Sequence, residues 1–396
     1  MKMAKKIVKT DLDFIKEIIA NGGDSVKKCY QCATCSVVCN LSPNNSPFPR
    51  KEMIMAQWGM KDALLKDADI WLCHQCADCT AYCPRGAKPG DVLGALRKIT
   101  IEEYAPVKFL AKLVSKPAMW PFAFLLPVVI LLIDLMLNGK LQYLADPQAL
   151  VNMPIHGEPE SAGKIVFAKL FPTVTGIDIF FLPAAIFAII CFWIGLSNYW
   201  KALNSDRSYP VTFKGSIIGL FAGVIWEALT SARFKLCNTM NVRSTTHLLV
   251  FWSFVGLALT TATASVYEWV LRYPSPYPLY DPVKILGNIS GIALVIGSIW
   301  MINTRSTLKV GANSGFDWLL LIVVAGLGLT GMGTEIFRLM NLASIAYWTY
   351  FIHLTFVMFL FIYAPFFKIA HLAYRTLALA YSNLANRGEP DALKEI

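Results

Sequence analysis

Charge is scarce in this 396-residue chain: Asp, Glu, Lys and Arg make up 16% of it against 56% hydrophobic residues, a balance outside that of ordinary soluble domains. Histidine is scarcer still, with five in all, so each one inside an apolar stretch is informative. No Cys-x-x-Cys-His occurs, which excludes covalently attached c-type haem. The opening "MKMAKKIVKTDLDFIKEIIANGG" carries charges where the apolar region of a signal peptide would have to be, so no cleavable signal is expected. No convincing internal repeat is visible, which counts against a transporter with a sensing head.

What is present is unevenly distributed. Residues 1–105 are charged and hold eight of the ten cysteines, whereas 106–396 reads as long apolar runs joined by short polar connectors. Six windows are long enough to span about 30 Å of hydrocarbon: 118–137, 177–197, 248–269, 284–302, 317–337 and 348–369. Trp120, Trp200, Trp269, Trp300, Trp318 and Trp348 lie at or near their ends, at headgroup level. Lys201, Arg207, Lys214, Arg233, Lys235 and Arg243 in connector 198–247, with Arg305 and Lys309 in 303–316, place those loops, the head and the C-terminus in the cytoplasm. The net charge of +10 is thereby explained by membrane loops and does not point to nucleic acid. "GSIIGLFAGVIWEALTSARF" contains Glu227 and is too short to cross, so it reads as an interfacial or re-entrant helix. The expected fold is all-α: a two-cluster ferredoxin-like head on a six-helix transmembrane bundle.

Within the head, Leu12, Ile15, Ile18 and Ile19 predict an amphipathic helix stopped by Gly22 and Gly23. Two short helices broken at Gly59 follow, and then a helix capped by Asp91 that runs to about Tyr104.

"CYQCATCSVVCN" and "CHQCADCTAYCP" each have the form C-x2-C-x2-C-x3-C. That is the bacterial ferredoxin run, in which three close thiolates hold one [4Fe–4S] cube and the fourth ligates the other. The first cluster is therefore expected on Cys29, Cys32, Cys35 and Cys83, and the second on Cys73, Cys76, Cys79 and Cys39. Zinc sites prefer two separated C-x2-C pairs over four thiolates in eleven residues, and disulfides are unusual in a cytoplasmic head. Pro84 follows the second ladder, while Asn40 follows the first.

His353 and His371 are 18 residues apart, which on one continuous helix is five turns, or about 27 Å along one face. One iron cannot use both. His247, at the head end of the third span and level with His371, completes an expected axial pair for haem b, and His353 is a candidate ligand of a second haem without an obvious histidine partner. His156 falls in an outer loop and is expected to be solvated. "GLGLTG" from Gly326 sits inside an apolar span with no preceding strand, so it reads as close helix packing and not as a dinucleotide turn; Gly215, Gly219 and Gly223, and Gly287 and Gly291, read the same way. Tyr267, Glu268 and Glu335 are candidates for a quinone or proton path, since quinol oxidation releases protons. Cys191 and Cys237 read as packing residues.

The two ladders, with "RKEMIMAQWG" between them and "PGDVLGALRK" after, resemble the small iron–sulfur subunit of heterodisulfide reductases over about the first hundred residues. Spans two to six, with "WEALTSARFKLCNTMNVRSTTH" leading into His247, resemble the b-type cytochrome subunits of heterodisulfide reductases and the gamma subunit of nitrate reductases. That likeness implies haem ligation by His247, His353 and His371, although the second histidine often found deeper in the third span is replaced near Leu257. The fusion resembles the C subunits of quinone-interacting membrane-bound oxidoreductase (Qmo) complexes of sulfate reducers. It implies menaquinone as cofactor, flavoprotein subunits A and B as partners, and electron flow between menaquinol and adenylylsulfate reductase. A membrane anchor for a heterodisulfide or other soluble reductase would show the same wiring. The adjacent Cys-Cys pair of heterodisulfide-reducing subunits is absent, so the chain is expected to conduct electrons and not to reduce a disulfide itself.

Overall fold

The computed structural model describes residues 9–43, 45–154, 163–205, 216–230, 233, 237, 241–273, 275–308 and 315–385. Every regular element among them is helical. His156 lies outside the described residues.

The head begins with α1 (Leu12–Ile18), whose N-cap Asp11 accepts a hydrogen bond from the Phe14 amide at 2.9 Å. Its buried face is Phe14 and Ile18, four residues apart, while Leu12 points to solvent, so the stripe is rotated from the expected one. Gly22, at φ +98°, turns the chain toward the first ladder, which ends in α2 (Thr34–Val37). Next come α3 (Arg50–Gln57) and α4 (Lys61–Leu64), parted at Gly59, where φ is +63° and any Cβ would stand 2.3 Å from the Asp11 carbonyl oxygen. Only glycine fits there. Helix α5 (Asp69–Leu72) leads into the second ladder, α6 (Asp78–Ala81) lies within it, and α7 (Pro89–Tyr104) packs on α3, α5 and α6. Pro89 occupies the first turn of α7, so Asp91 lies inside that turn and is not the cap.

The amphipathic α8 (Lys108–Ser115) leads into the apolar body: α9 (Trp120–Leu137), α10 (Pro147–Asn152), α11 (Ile179–Ser205), α12 (Ile217–Thr230), α13 (Asn241–Trp269), α14 (Pro282–Leu308), α15 (Gly315–Leu339), α16 (Ala343–Tyr363) and α17 (His371–Leu384). Six stretches are long and apolar enough to cross a membrane: Pro117–Leu137, Thr173–Ser205, Ser244–Trp269, Pro282–Thr307, Gly315–Leu339 and Ala343–Phe366. They are consistent with a multi-pass membrane protein. Helix α12 is apolar but shorter than a span, packs on α17, and pairs Glu227 with Arg233.

Lipid provides no hydrophobic drive between spans, so close approach at small residues has to supply the contact. A Cβ on Gly326 would meet the Phe356 ring at 2.5 Å, one on Gly291 the Met332 sulfur at 2.6 Å, and one on Gly256 the Ser290 hydroxyl at 2.1 Å. Gly223 faces open space and Gly219 meets only its neighbour Ser216, so that pair does not serve packing as expected.

The last span begins and ends earlier than the 348–369 window, at Ala343 and Phe366. Pro365 has no N–H to continue the ladder, and Phe367 is extended (φ −129°, ψ −168°), so α16 stops at Tyr363 and His371 opens a new helix. His353 and His371 therefore do not share one continuous helix face.

Candidate iron–sulfur and cofactor site

The two ladders fold alike. Gln31 and Ala33 in the first, and Gln75 and Ala77 at the same positions of the second, all have positive φ between 57° and 70°. The same left-handed kinks bend each run of cysteines inward, and a four-residue helix follows each. The thiols sort into two groups across the ladders. Burial pushes Cys35 up to about 11, with repulsion from Cys29, Cys32 and Cys83 adding to it. Cys39 is pushed up to about 12, by burial first and then by Cys73 and Cys76, and Cys79 rises through burial together with Cys73, Cys76 and Cys39. Cys39, Cys73, Cys76 and Cys79 also line one small cavity. Packed thiols that resist ionisation next to one another need a positively charged core between them, and iron–sulfur clusters supply one.

Beyond the second ladder lies a cavity of about 700 Å³ between the head and the bundle. His247 from α13 and His371 from α17 face each other across it, ring centroids 6.5 Å apart and planes at 74°. With metal–imidazole nitrogen bonds of about 2 Å, two rings on opposite sides of one metal stand roughly 6 Å apart between centres. The His371 Nδ1–H is held by the Lys368 carbonyl oxygen, which leaves Nε2 as the free lone pair. Desolvation, with Arg375 and Lys368 nearby, holds His371 well below its usual range and thus neutral. Phe251, Phe254, Phe361 and Leu320 form apolar walls, whereas Arg97, Lys98, Arg305, Lys368 and Arg375 gather at the head end. Asp317 pairs with Arg305 at 3.3 Å and with Lys368. Apolar walls, two facing imidazoles and a cationic rim are the donor set and lining that a haem would fit.

His74 and Gln75, inside the second ladder, line both cavities. Arg375, one turn beyond His371, reaches out of the body to donate to the Trp71 carbonyl at 2.9 Å and the Cys73 carbonyl at 2.6 Å, with His74 Nδ1 at 3.3 Å. Arg97, from the head, donates to the same Cys73 carbonyl at 2.6 Å. Around this joint, Trp71 stacks on Tyr374 at 5.3 Å, and Tyr199 packs on Tyr374 and Tyr104 at 5.4 and 5.5 Å. The aromatic cluster buries apolar area from head and body at once.

The other candidates lie elsewhere. His353 does not line the large cavity; its Nδ1 is 3.0 Å from the Thr330 hydroxyl, and its ring rests near Gly331. That hydroxyl donates to the Gly326 carbonyl at 2.6 Å, so it accepts from His353 and leaves Nε2 without that proton. Glu335 is tied to Lys284 at 2.6 Å and Arg338 at 2.9 Å. Tyr267 packs with Tyr273 and Tyr277 at 5.8 and 5.5 Å, beside Glu268 in sequence.

Residues 25–87 match the 4Fe-4S dicluster domain, and residues 170–392, more than half of the chain, match the family described as Citrate utilization protein B (CitB). The chain belongs to the CitB family. Citrate utilization protein B of Escherichia coli is 25% identical over 329 residues, 78% of this chain and 79% of that protein. The head of this CitB-family chain is 36% identical over 102 residues to the C subunit of the H(2):CoB-CoM heterodisulfide,ferredoxin reductase of Methanothermobacter marburgensis. It is also 36% identical over 94 residues to a protein of Archaeoglobus profundus described as like the C subunit of heterodisulfide reductase. Those matches take in 26% and 24% of this chain, and about half of each relative's length, 52% and 48%. No solved structure matches. The head thus carries a 4Fe-4S dicluster domain and is similar to the C subunits of heterodisulfide reductases, a likeness that supports a redox, electron-transfer role.

In this CitB-family chain, sequence reading missed His74 and Arg375. His74 is adjacent to a ligand cysteine, so its spacing was visible, but nothing local says that it faces the bundle. Arg375 is one helical turn from His371, a signal that could have placed it beside the same cavity.

Proposed function

We propose that this chain is the membrane subunit of a respiratory oxidoreductase, conducting electrons between menaquinol, a haem b on His247 and His371, two [4Fe–4S] clusters and soluble flavoprotein subunits. The observation that carries the reading is the pair of histidine rings 6.5 Å apart in a cavity that shares His74 and Gln75 with the cysteine cavity. When bound, the haem and the clusters supply one-electron carriers. The protein's part is placement. His247 and His371 hold the iron, and the Lys368 carbonyl sets the tautomer of His371. The cations at the head end neutralise the haem carboxylates, and Arg375 clamps the second ladder against the haem-ligand helix. Cys73, Cys76, Cys79 and Cys39 hold the cluster nearer the bundle; Cys29, Cys32, Cys35 and Cys83 hold the outer one, where Cys32 is exposed and open to a soluble partner.

At the far end of the bundle, His353 is suited to hydrogen-bond a quinone, and Tyr267, Glu268 and Glu335 line the way out for protons. Head and C-terminus lie in the cytoplasm and the chain sits in the inner membrane, with residues 1–105 as the cluster domain and 106–396 as the cytochrome domain. As soluble partners we take the Qmo flavoprotein subunits A and B and, through them, adenylylsulfate reductase. A second reading keeps the wiring and changes the partner: the match to a protein named for citrate utilization across 78% of the chain favours an oxidoreductase of citrate use. An optical spectrum with haem, iron and sulfide quantitation of the purified chain tests the wiring, and identification of the co-purifying flavoprotein tells the partners apart. Absence of a haem band would end the cytochrome reading. Reporter fusions at residue 160 and at the C-terminus should report opposite compartments.

A further inference from the structure

The cavity that gathers Cys39, Cys73, Cys76 and Cys79 has a fifth thiol in its wall, that of Cys237. Only 3% exposed, Cys237 belongs to the connector between the second and third spans, ten residues before His247. Its thiol is hydrogen-bonded to the sulfur of Cys76. Four thiolates already complete the ligand set of one cube, so a fifth is surplus as a ligand. What it can add is a proton.

The ladders show why one is wanted. In the first, Cys32 has the hydroxyl of Thr34 at 3.4 Å, two residues on. At the equivalent position of the second ladder stands Asp78, whose carboxylate beside Cys76 accepts hydrogen bonds and adds negative charge next to an electron-rich sulfur. At that position the first ladder offers a hydroxyl and the second a carboxylate. A hydrogen bond to a ligating sulfur draws off electron density and favours the reduced, more negative cluster, so it raises the reduction potential.

We propose that Cys237 is the S–H donor to the Cys76 sulfur of the second cluster, that it raises the potential of that cluster against the pull of Asp78, and that it thereby ties the His247 connector to the cluster. The inference rests on the two-cluster reading above.

The test is a redox titration of the purified full-length chain followed by electron paramagnetic resonance, with iron and sulfide content measured alongside. In wild-type protein both clusters must first be seen; if iron and sulfide are missing there, the two-cluster reading fails and this proposal with it. Given both clusters, Cys237→Ala should lower the midpoint of the second, with a roughly tenfold drop in its reduced-to-oxidised ratio at fixed poise, equal to about 59 mV for one electron. The midpoint of the first cluster should not move. Cys237→Ser keeps a donor and should stay within about threefold of wild type in the same ratio, less than 30 mV by the same constant. Cys191→Ala, in the bundle, should shift neither cluster. An unchanged second midpoint in Cys237→Ala overturns the proposal. So does loss of the second cluster in both Cys237 variants, which would make Cys237 a ligand.

Discussion

The two cysteine ladders are close copies in sequence and backbone, yet they live in different places. At the position after the first cysteine, Tyr30 is 69% exposed with the Arg85 guanidinium 4.0 Å above its ring, while His74 looks into the large cavity and meets Arg375. Cys32 is exposed, whereas Cys73 and Cys79 are buried. A repeated motif builds a repeated cluster site, and what the site connects to is set by whatever packs against it. One ladder faces the bundle and the other faces outward, so the two sites differ in what they can reach.

The comparison can be broken most severely at the inner end. His247→Ala and His371→Ala should each abolish the same haem absorption band in purified protein while the cluster signals remain, and loss of different bands would disprove the shared iron. Next in size, Cys83→Ser should damage the cluster of Cys29, Cys32 and Cys35, and Cys39→Ser that of Cys73, Cys76 and Cys79, each leaving its own ladder's cluster intact by electron paramagnetic resonance. Damage confined to the mutated ladder would show that the ladders do not exchange ligands.

Smaller effects sharpen the contrast. Arg375→Met keeps volume but removes the donor to Trp71 and one of the two to Cys73; stopped-flow reduction of the clusters by quinol should slow roughly tenfold, about 1.4 kcal/mol of barrier, with haem content unchanged. If the rate is unaltered, the joint does not position the centres. The mildest test exchanges the two residues that follow the first cysteines. His74→Tyr removes the buried imidazole that meets Arg375 and should cost about 1–3 kcal/mol, whereas Tyr30→His on the open surface should stay within roughly ±0.5 kcal/mol. Thermal unfolding followed by loss of the cluster chromophore measures both, and equal costs would remove the distinction between the ladders.

The sequence by itself determined the cysteine spacing, and with it the local turns that bring three thiols together, because those contacts lie within a dozen residues. It also determined six apolar helices, since hydrocarbon thickness imposes a length that any membrane-spanning helix must meet. It even carried the sign of its own exception: Pro365 stood inside the last expected span, and a proline that removes a backbone donor ends a helix whatever surrounds it. Tertiary structure alone decided the rest. His247 and His371 are 124 positions apart, Cys73 and Arg375 302 apart, and Cys76 and Cys237 161 apart. No local periodicity encodes such pairs, because the chain entropy lost in bringing them together is offset only when the head seats on the bundle through Trp71, Tyr104, Tyr199 and Tyr374. That seating turns His74 inward and leaves Tyr30 outside, a difference that the shared cysteine spacing could not express alone.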